Sequence, residues 1–380
     1  MSAAEFTLGV EEEYQIVDPQ TRELAGRAEQ VIASAKEELG DAVQPEIHRS
    51  QIETVTSVCS TLQDVRAQVS ESRRSVIEAA AREHKAIAAA GTHPFSSWQQ
   101  QLITPKERYQ GLEQHYQQVI RELVIFGSHV HIGVADREMA VAVVNRARIW
   151  LAVLLALTAN SPFWLGNDTG YTSYRTELWY RIPLAGPPPL LKDYEDYRHL
   201  VKALVSSEVI EDATKIYWDA RLSEKFPTVE FRVADVCLTV DEAVMYAGLV
   251  RGLARTCYEE ATNDVVFKPV SAQLLRAAHW QAARYGLRGK LIDVVQATPV
   301  AAPELVQTFL TYIRPALEEF GDWEEVSFLV EKTLHHGNGG ERQYHVYQRR
   351  GSYEEVVDYL IEQTKQGTVS SEQTTSNNQH

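Results

Sequence analysis

Cysteine is scarce in this sequence, which has three in a chain of 380 residues. Cys59, Cys237 and Cys257 are odd in number and lack the close spacing of a metal site. The pattern argues against a disulfide framework and predicts buried thiols in a reducing compartment.

Positive charge is also in short supply. The chain carries 37 Lys and Arg against 52 Asp and Glu, which gives a formal net charge of -15 at pH 7. A protein that binds nucleic acid or an anionic membrane needs a basic surface to engage phosphates. The composition therefore argues against both partners, and any anionic ligand must be held by local arginines or by metal ions.

Long apolar runs are missing as well. The longest, Ile149 to Leu157, is too short to cross a bilayer, and the N-terminus lacks the basic and apolar regions of a signal peptide. We therefore expect a cytoplasmic protein. Because no linker rich in Pro, Gly or Ser divides the chain, residues 1–366 are expected to form one domain. Residues 367–380 are polar apart from Val369 and are expected to form a disordered tail.

Helical periodicity is clearest at 64–90, 136–159 and 239–263, and the last segment opens with a capping-box pair, Thr239 and Glu242. Short alternating runs lie between the helices without a regular strand–helix rhythm. This order favours an α+β fold with a mostly antiparallel sheet. Further helices are expected near 104–121, 193–206, 269–285, 303–320, 324–334 and 353–366.

Two segments carry residues that disfavour a regular helix. Pro315 is expected to kink or break the helix that contains it. The stretch "HHGNGGER" at 335–342 predicts a flexible glycine-rich surface loop, with a lid over a functional site as the alternative hypothesis.

The stretch "FTLGVEEEYQIVD" alternates like a strand yet holds three consecutive glutamates. On a pleated strand, Glu11 and Glu13 share the polar face about 7 Å apart. They form either a solvated edge that resists aggregation or half of a cation site, since adjacent carboxylates repel unless a cation or a proton intervenes. Glu12 falls on the apolar face and needs a bulge or a buried partner.

Three further strands have one apolar and one polar face. Their polar faces contribute Glu53, then His129 and His131, then Glu230 and Arg232. If all four strands join one sheet, these side chains gather on the face opposite the helices. Many carboxylates with one or two imidazoles suit Mg²⁺ or Mn²⁺, and their number suits more than one ion.

Arginines offer the means to hold an anion. Arg175 lies among Tyr and Ser donors, and Arg232 lies two residues from Glu230. A guanidinium can hold phosphate or carboxylate through two hydrogen bonds. A surface position for Arg175 and a structural ion pair of Arg232 with Glu230 or Asp235 are the alternatives. Because the sequence has neither a phosphate-binding P-loop nor a G-x-G-x-x-G turn, a nucleotide would depend on metal ions and arginines.

At these residues the sequence resembles the type 2 glutamate–cysteine ligase family of carboxylate–amine ligases and, more distantly, glutamine synthetase. The resemblance covers residues 6–365. It implies a glutamine-synthetase-like catalytic domain whose curved, mostly antiparallel sheet holds Mg²⁺ between ATP and an amino acid. The motifs that carry it are "FTLGVEEEYQIVD", "QIETVTSVC", "GTHPFSSWQ", "ERYQ", "FGSHVHIGV", "NSPFWLGNDTGYTSYR" and "TVEFRVADVCLTVDEAV".

The resemblance also implies roles for single residues. Arg175 and Arg232 would face the phosphate and the substrate carboxylate and, with Glu230, would serve catalysis, while Arg232 and Glu53 would contact the cofactor. Glu46 is a weaker ligand candidate, and Arg49 replaces an acidic residue found in some relatives. The implied metal ligands are Glu11, Glu13, Glu53, His129 and Glu230.

The activity implied by the resemblance is ATP-dependent ligation. A carboxylate, such as the γ-carboxyl of glutamate, would be activated as an acyl phosphate and joined to an amine such as cysteine. The base that deprotonates the amine would be a glutamate of the site or His131. A zinc-dependent hydrolase and a catalytically silent binding protein are the alternatives. A homodimer is expected by resemblance only.

Overall fold

The computed structural model describes residues 5–368. Most of the expected tail, residues 369–380, therefore lies outside the described residues. One sheet dominates this part of the chain. Its strands are β1 (Leu8–Val17), β2 (Val43–Pro45), β3 (Gln51–Val55), β4 (Ala86–Ala88), β5 (Gly127–Gly133), β8 (Ala220–Leu222) and β9 (Thr228–Asp235). Two small hairpins are β6 (Phe163–Trp164) with β7 (Asn167–Asp168) and β10 (Lys290–Asp293) with β11 (Thr298–Ala301).

The main sheet has the order β2-β3-β1-β5-β9-β8, with β4 paired to β1, and its pairs are antiparallel. The predicted fold class, α+β with a mostly antiparallel sheet, is confirmed. All four charged strands join this one sheet as expected. Because β1 is hydrogen-bonded on both sides, its glutamates do not protect an exposed edge.

The helices surround the sheet and account for most of the remaining chain. They are α1 (Ala28–Leu39), α2 (Leu62–Arg82), α3 (Glu107–Tyr116), α4 (Gln118–Glu122), α5 (Arg137–Ala147), α6 (Leu151–Thr158), α7 (Tyr174–Trp179), α8 (Tyr194–Ser206), α9 (Val240–Thr262), α10 (Ala272–Tyr285), α11 (Ala302–Phe320), α12 (Trp323–His336), α13 (Gly339–Arg350) and α14 (Tyr353–Thr364).

Helices α2, α5, α6 and α9 cover one face of the sheet. The apolar alternate residues of β1, β5 and β9, such as Val10, Val130 and Phe231, are buried against them. The capping box of Thr239 and Glu242 opens α9 as predicted. This packing leaves the opposite face of the same strands to the polar side chains.

Two predicted helices are interrupted. The segment expected at 64–90 ends at Arg82, and its last part is β4, which continues the sheet beside β1. The segment expected at 136–159 divides into α5 and α6. Within residues 5–368, no single helix has the length and apolar character to span a membrane, and α5 with α6 passes that test only as a pair bent by 68°.

Helix α11 continues through Pro315, so the proline does not break the helix. Helices α1, α7 and α13 were not predicted. The loop expected at 335–342 is also wrong, because Asn338 caps α13 and Gly339 and Gly340 form its first turn.

The 335–342 segment is unsuitable as a lid. Asn338 is fully buried, its Nδ2–H donates to the Ala156 carbonyl at 2.8 Å, and Gly340 packs on the backbone of Thr172. The glycines permit this close helix packing, and no residue of the segment lines the cavity described below.

Glu12, which falls on the buried face of β1, has a buried partner and no bulge. Arg73 of α2 donates to its two carboxylate oxygens at 2.5 and 3.0 Å, and Tyr14 donates its hydroxyl at 2.6 Å. The ion pair ties β1 to α2, and this leaves Glu11 and Glu13 directed to the other face.

Candidate active site

A cavity of about 490 Å³ lies on the sheet face opposite α2 and α9. Every side chain that sequence reasoning placed on the polar face lines it. These are Glu11, Glu13, Glu53, His129, His131, Glu230 and Arg232, joined by Arg175. Parity places them on one face of each strand, and the shared sheet brings those faces together.

Cross-strand register sets the neighbours within this set. Glu13 lies opposite Glu53, Glu11 opposite His129, and His131 opposite Glu230. The register shifts between Ser128 and Val130 of β5, a bulge that gives β9 an extra residue at this point. The guanidinium of Arg232 thereby comes within 3.4 Å of the His129 Nδ1.

Glu11 is the central carboxylate. Its two oxygens lie 3.0 Å from His129 Nδ1 and 3.2 Å from His131 Nε2. Burial alone would raise the pKa of Glu11, but the two histidine contacts hold it well below its usual range. Burial and the nearby Arg232 lower the pKa of His129 to about 4, which keeps its ring neutral, the form that binds metal.

Three groups of side chains within residues 5–368 could each hold a cation, with ligand atoms within 4.8 Å of one another in each group. Glu11 belongs to two of the groups and Glu53 to two, so neighbouring groups have a residue in common and the three positions adjoin. They are Glu11, His131 and Glu230; Glu11, Glu53 and His129; and Glu13, Glu46 and Glu53.

The electrostatics of the third group fit a cation. Burial and the charge of Glu46 raise the pKa of Glu13 to about 8, and burial with the charge of Glu11 raises the pKa of Glu53 well above its usual range. Several half-buried carboxylates cannot all ionise side by side without positive charge. A bound divalent cation supplies that charge, and oxygen ligands suit Mg²⁺ or Mn²⁺.

Glu230 is in a different environment. Arg232 pairs with one of its oxygens, and Arg221 Nε donates to the other at 2.8 Å. Burial would raise the pKa of Glu230, but these two guanidinium groups hold it well below its usual range. The Arg232–Glu230 pair anticipated as an alternative from the sequence therefore exists, inside the cavity.

Arg175 is buried, with 4% of its surface exposed, so the surface alternative is wrong. Sequence reasoning treated Glu46 as a weaker candidate and missed Arg221, Trp179 and Tyr217, which also line the cavity. No motif marks the last three, because they come from segments without strong alternation. Arg49 does not line the cavity and pairs with Glu29 at 3.5 Å.

The comparison with known families decides the assignment, because the family model described as glutamate–cysteine ligase family 2 matches residues 7–359. The chain belongs to this family. Two curated relatives, each named "Putative glutamate--cysteine ligase 2", agree with this assignment. That of Solibacter usitatus is 38% identical and that of Herpetosiphon aurantiacus 39% identical, and each alignment covers 95% of this chain and 94% of the relative.

Solved structures show the same fold at low sequence identity. The glutamate–cysteine ligase of Francisella tularensis, solved in complex with AMP, has a TM-score of 0.73 at 12% identity and covers 97% of this chain and 90% of its own. A bifunctional glutathione synthetase from Pasteurella multocida has a TM-score of 0.68 at 15% identity, with 96% of this chain and 52% of its own covered.

This member of glutamate–cysteine ligase family 2 is a carbon–nitrogen ligase, and the family assignment supports a carboxylate–amine ligase. The zinc-hydrolase alternative is not favoured. The three groups of possible metal ligands in this protein are rich in carboxylates. Zinc enzymes, in contrast, use mainly histidine and cysteine with few carboxylates.

Proposed function

We propose that the protein is an ATP-dependent carboxylate–amine ligase of the glutamate–cysteine ligase type. It activates a carboxylate, the γ-carboxyl of glutamate in our proposal, as an acyl phosphate and joins it to an amine such as cysteine. The observation that carries the proposal is one cavity in which three adjoining carboxylate-rich groups face two buried arginines.

The charges of the reaction explain this composition. A carboxylate that attacks the γ-phosphate of ATP brings two anions together, and the transition state needs positive charge around them. Glu11, Glu13, Glu53, His129 and Glu230 would hold Mg²⁺, with Mn²⁺ as the alternative, and the bound metal would offset that negative charge. Glu46 would complete the group formed by Glu13 and Glu53.

The arginines have separate tasks in this proposal. Arg232 is oriented by its pair with Glu230 and lies over the ring of Trp179 at 5.9 Å, so its remaining donors are positioned for phosphate oxygens. Arg175 faces the substrate carboxylate. Glu230 acts as a metal ligand and as the group that orients Arg232.

The incoming ammonium must lose a proton before it attacks the acyl phosphate. A glutamate of the site, such as Glu13, and His131 are the candidate acceptors in the cavity. The pH–rate profiles of Glu13→Gln and His131→Asn variants distinguish them, because only removal of the acceptor abolishes the acidic limb, the rise of the rate with pH as the acceptor loses its own proton.

Release of ADP from Mg-ATP with glutamate, screened against cysteine and a panel of amines with mass spectrometry of the product, tests the function. We expect ADP release that requires both substrates, disappears in Glu230→Gln and persists in Glu318→Gln, an exposed carboxylate of α11. Mg-ATP binding without turnover for any substrate pair would instead support the silent binding protein.

The cytoplasmic location and the homodimer expected from the sequence remain predictions, as does the single domain at 1–366. Sedimentation of the purified protein tests the dimer.

A further inference from the structure

We infer that Asp235 is a positioning residue that holds Arg175 ready for the carboxylate of the substrate. The inference rests on the proposed function. Asp235 ends β9, directly after the strand segment that carries Glu230 and Arg232, but it does not line the cavity. It therefore acts on the reaction through Arg175.

Asp235 is completely buried and organises the chain around Arg175. One carboxylate oxygen accepts hydrogen bonds from the Asn160 backbone N–H and the Ser161 hydroxyl, both at 2.7 Å. The other accepts from the Ser173 hydroxyl at 2.9 Å. The Ser161 oxygen also accepts the backbone N–H of Arg175 at 3.1 Å, so Asp235 fixes the chain on both sides of the start of α7.

The side chain of Arg175 is charged and buried yet has no hydrogen-bond acceptor among residues 5–368. Its Nε is unpartnered, and within the described part of the chain it forms one ion pair, with Asp235, in which 3.8 Å separates Arg175 Nη1 from the Asp235 oxygen. That separation is too long for a hydrogen bond. Asp235 therefore supplies compensating charge while the guanidinium donors stay available.

Arg232 differs from Arg175 in having hydrogen-bond partners for its guanidinium. Its guanidinium already donates to Glu230 and approaches His129, so part of its hydrogen-bonding capacity is used. A bidentate clamp for a planar carboxylate needs two donors on one edge of the guanidinium. Arg175 has every donor of its guanidinium available for such a clamp, whereas Arg232 has already committed its Nη1 to Glu230.

Two glycines, Gly91 and Gly127, provide the space that Asp235 and Arg175 occupy, because a side chain at either position would overlap this pair. A Cβ on Gly127 would overlap the Arg175 guanidinium, and a Cβ on Gly91 would lie 2.7 Å from Asp235 Cγ. The backbone N–H of Gly127 also donates to Glu13 at 2.6 Å. Arg175 therefore enters the cavity beside Glu13, and this places the carboxylate clamp next to the group of Glu13, Glu46 and Glu53.

The test compares steady-state kinetics of Asp235→Asn, Arg175→Lys and the double variant. We expect Asp235→Asn to raise the KM for the carboxylate substrate about tenfold or more, as loss of a charged contact predicts, while the KM for ATP changes less than about twofold. The double variant should be no worse than Arg175→Lys alone, because Asp235 acts through Arg175.

Asp322→Asn is the matched control. Asp322 is also a largely buried aspartate paired with an arginine, Arg251, but neither residue lines the cavity. We expect this variant to lower the melting temperature and leave both KM values unchanged. If Asp235→Asn does not fold, Ser173→Ala, which removes one hydrogen bond to Asp235, should raise the same KM by a smaller factor.

If the wild type is active, two results would overturn the inference and leave the proposed function intact. One is that the effects of Asp235→Asn and Arg175→Lys on KM multiply in the double variant. The other is that Asp235→Asn raises the KM values for ATP and for the carboxylate equally. A wild type without ligase activity would contradict the proposed function, and the inference with it.

Discussion

Three consecutive residues of β1 have three different surroundings. Glu11 faces two histidines, Glu12 forms a buried ion pair with Arg73, and Glu13 lies against Glu53 across the strands. The period of two in a strand sends the middle residue to the helices and the outer two to the cavity. A single residue shift would exchange these surroundings, so each glutamate has one position in which its charge is compensated.

Glu53→Gln should separate metal binding from folding. Glu53 belongs to two of the three donor groups, and its neighbours Glu11 and Glu46 repel it. We expect the variant without metal to be at least as stable as the wild type, because repulsion is relieved, and to bind Mg²⁺ roughly tenfold or more weakly. Thermal unfolding with EDTA and over a range of Mg²⁺ concentrations measures both.

Glu78→Gln serves as the control, since Glu78 lies on α2 and pairs with Arg74 away from the cavity. An unchanged increase of melting temperature with Mg²⁺ in Glu53→Gln would contradict its assignment as a ligand.

Gly127→Ala should impair the proposed carboxylate clamp without removing a charged group. The added methyl group overlaps the guanidinium of Arg175, which must move. We expect the KM for the carboxylate substrate to rise roughly tenfold. Gly111→Ala is the matched control, because a Cβ there meets nothing within 4 Å and alanine stabilises a helix interior by about 0.5–1 kcal/mol. Equal kinetics of the two variants would refute the expectation.

At the scale of elements, the site depends on how β1 is held between α2 and its neighbouring strands. Arg73 of α2 reaches Glu12 and also donates to the carbonyls of Cys237 and Leu238, just before α9. One buried guanidinium therefore connects β1 with the segment that joins β9 to α9. Because β1 and β9 both carry residues of the cavity, this contact helps to fix the position of one strand relative to the other.

A double-mutant cycle on Glu12 and Arg73 should give a large coupling energy. Each single variant, Glu12→Gln or Arg73→Met, leaves an uncompensated buried polar or charged group, for which we expect about 3–5 kcal/mol of lost stability. The double variant should cost less than the sum. Urea unfolding of all four proteins measures the coupling.

The exposed pair of Arg314 and Glu318 on α11 offers a control cycle, with an expected coupling below about 0.5 kcal/mol. Additive losses at Glu12 and Arg73 would show that the ion pair does not hold β1.

At the scale of the whole molecule, stability should depend on pH through a buried histidine outside the cavity. His93 is fully buried; its Nδ1 accepts the Ser96 backbone N–H at 2.9 Å, and its Nε2 lies 2.9 Å from the Arg22 carbonyl. This pattern requires the neutral ring with the proton on Nε2. Burial lowers the pKa of His93 to about 3.

The direction in which stability changes with pH follows from proton binding to His93. Between pH 6.5 and about 3, the unfolded chain binds a proton at this histidine and the folded chain does not, so the free energy of unfolding falls as pH falls. The contribution of His93 should be up to about 1.4 kcal/mol per pH unit within that window. Urea unfolding at pH 7, 6 and 5 should show a shallower slope for His93→Gln. The exposed His345→Gln should keep the wild-type slope, and the same slope in all three proteins would exclude this role.

Much of the cavity was predictable because strand periodicity is local. Alternation alone gives the strand face of seven residues that line the cavity: Glu11, Glu13, Glu53, His129, His131, Glu230 and Arg232. Glu46, Arg221 and Asp235 could not be recognised in this way. Their importance comes from neighbours brought close by folding, such as Arg221 beside Glu230 and Asp235 beside Arg175.

The sequence by itself determined which face each residue of β1, β3, β5 and β9 presents, and where capped helices such as α9 begin, because these properties depend on residues within one or two turns. Only the tertiary structure decided the order of the strands, the partner of Glu12 on α2 and the helical, buried state of Gly339 and Gly340. These depend on contacts between segments distant in the chain, and burial of charge or glycine is favourable only once those contacts exist.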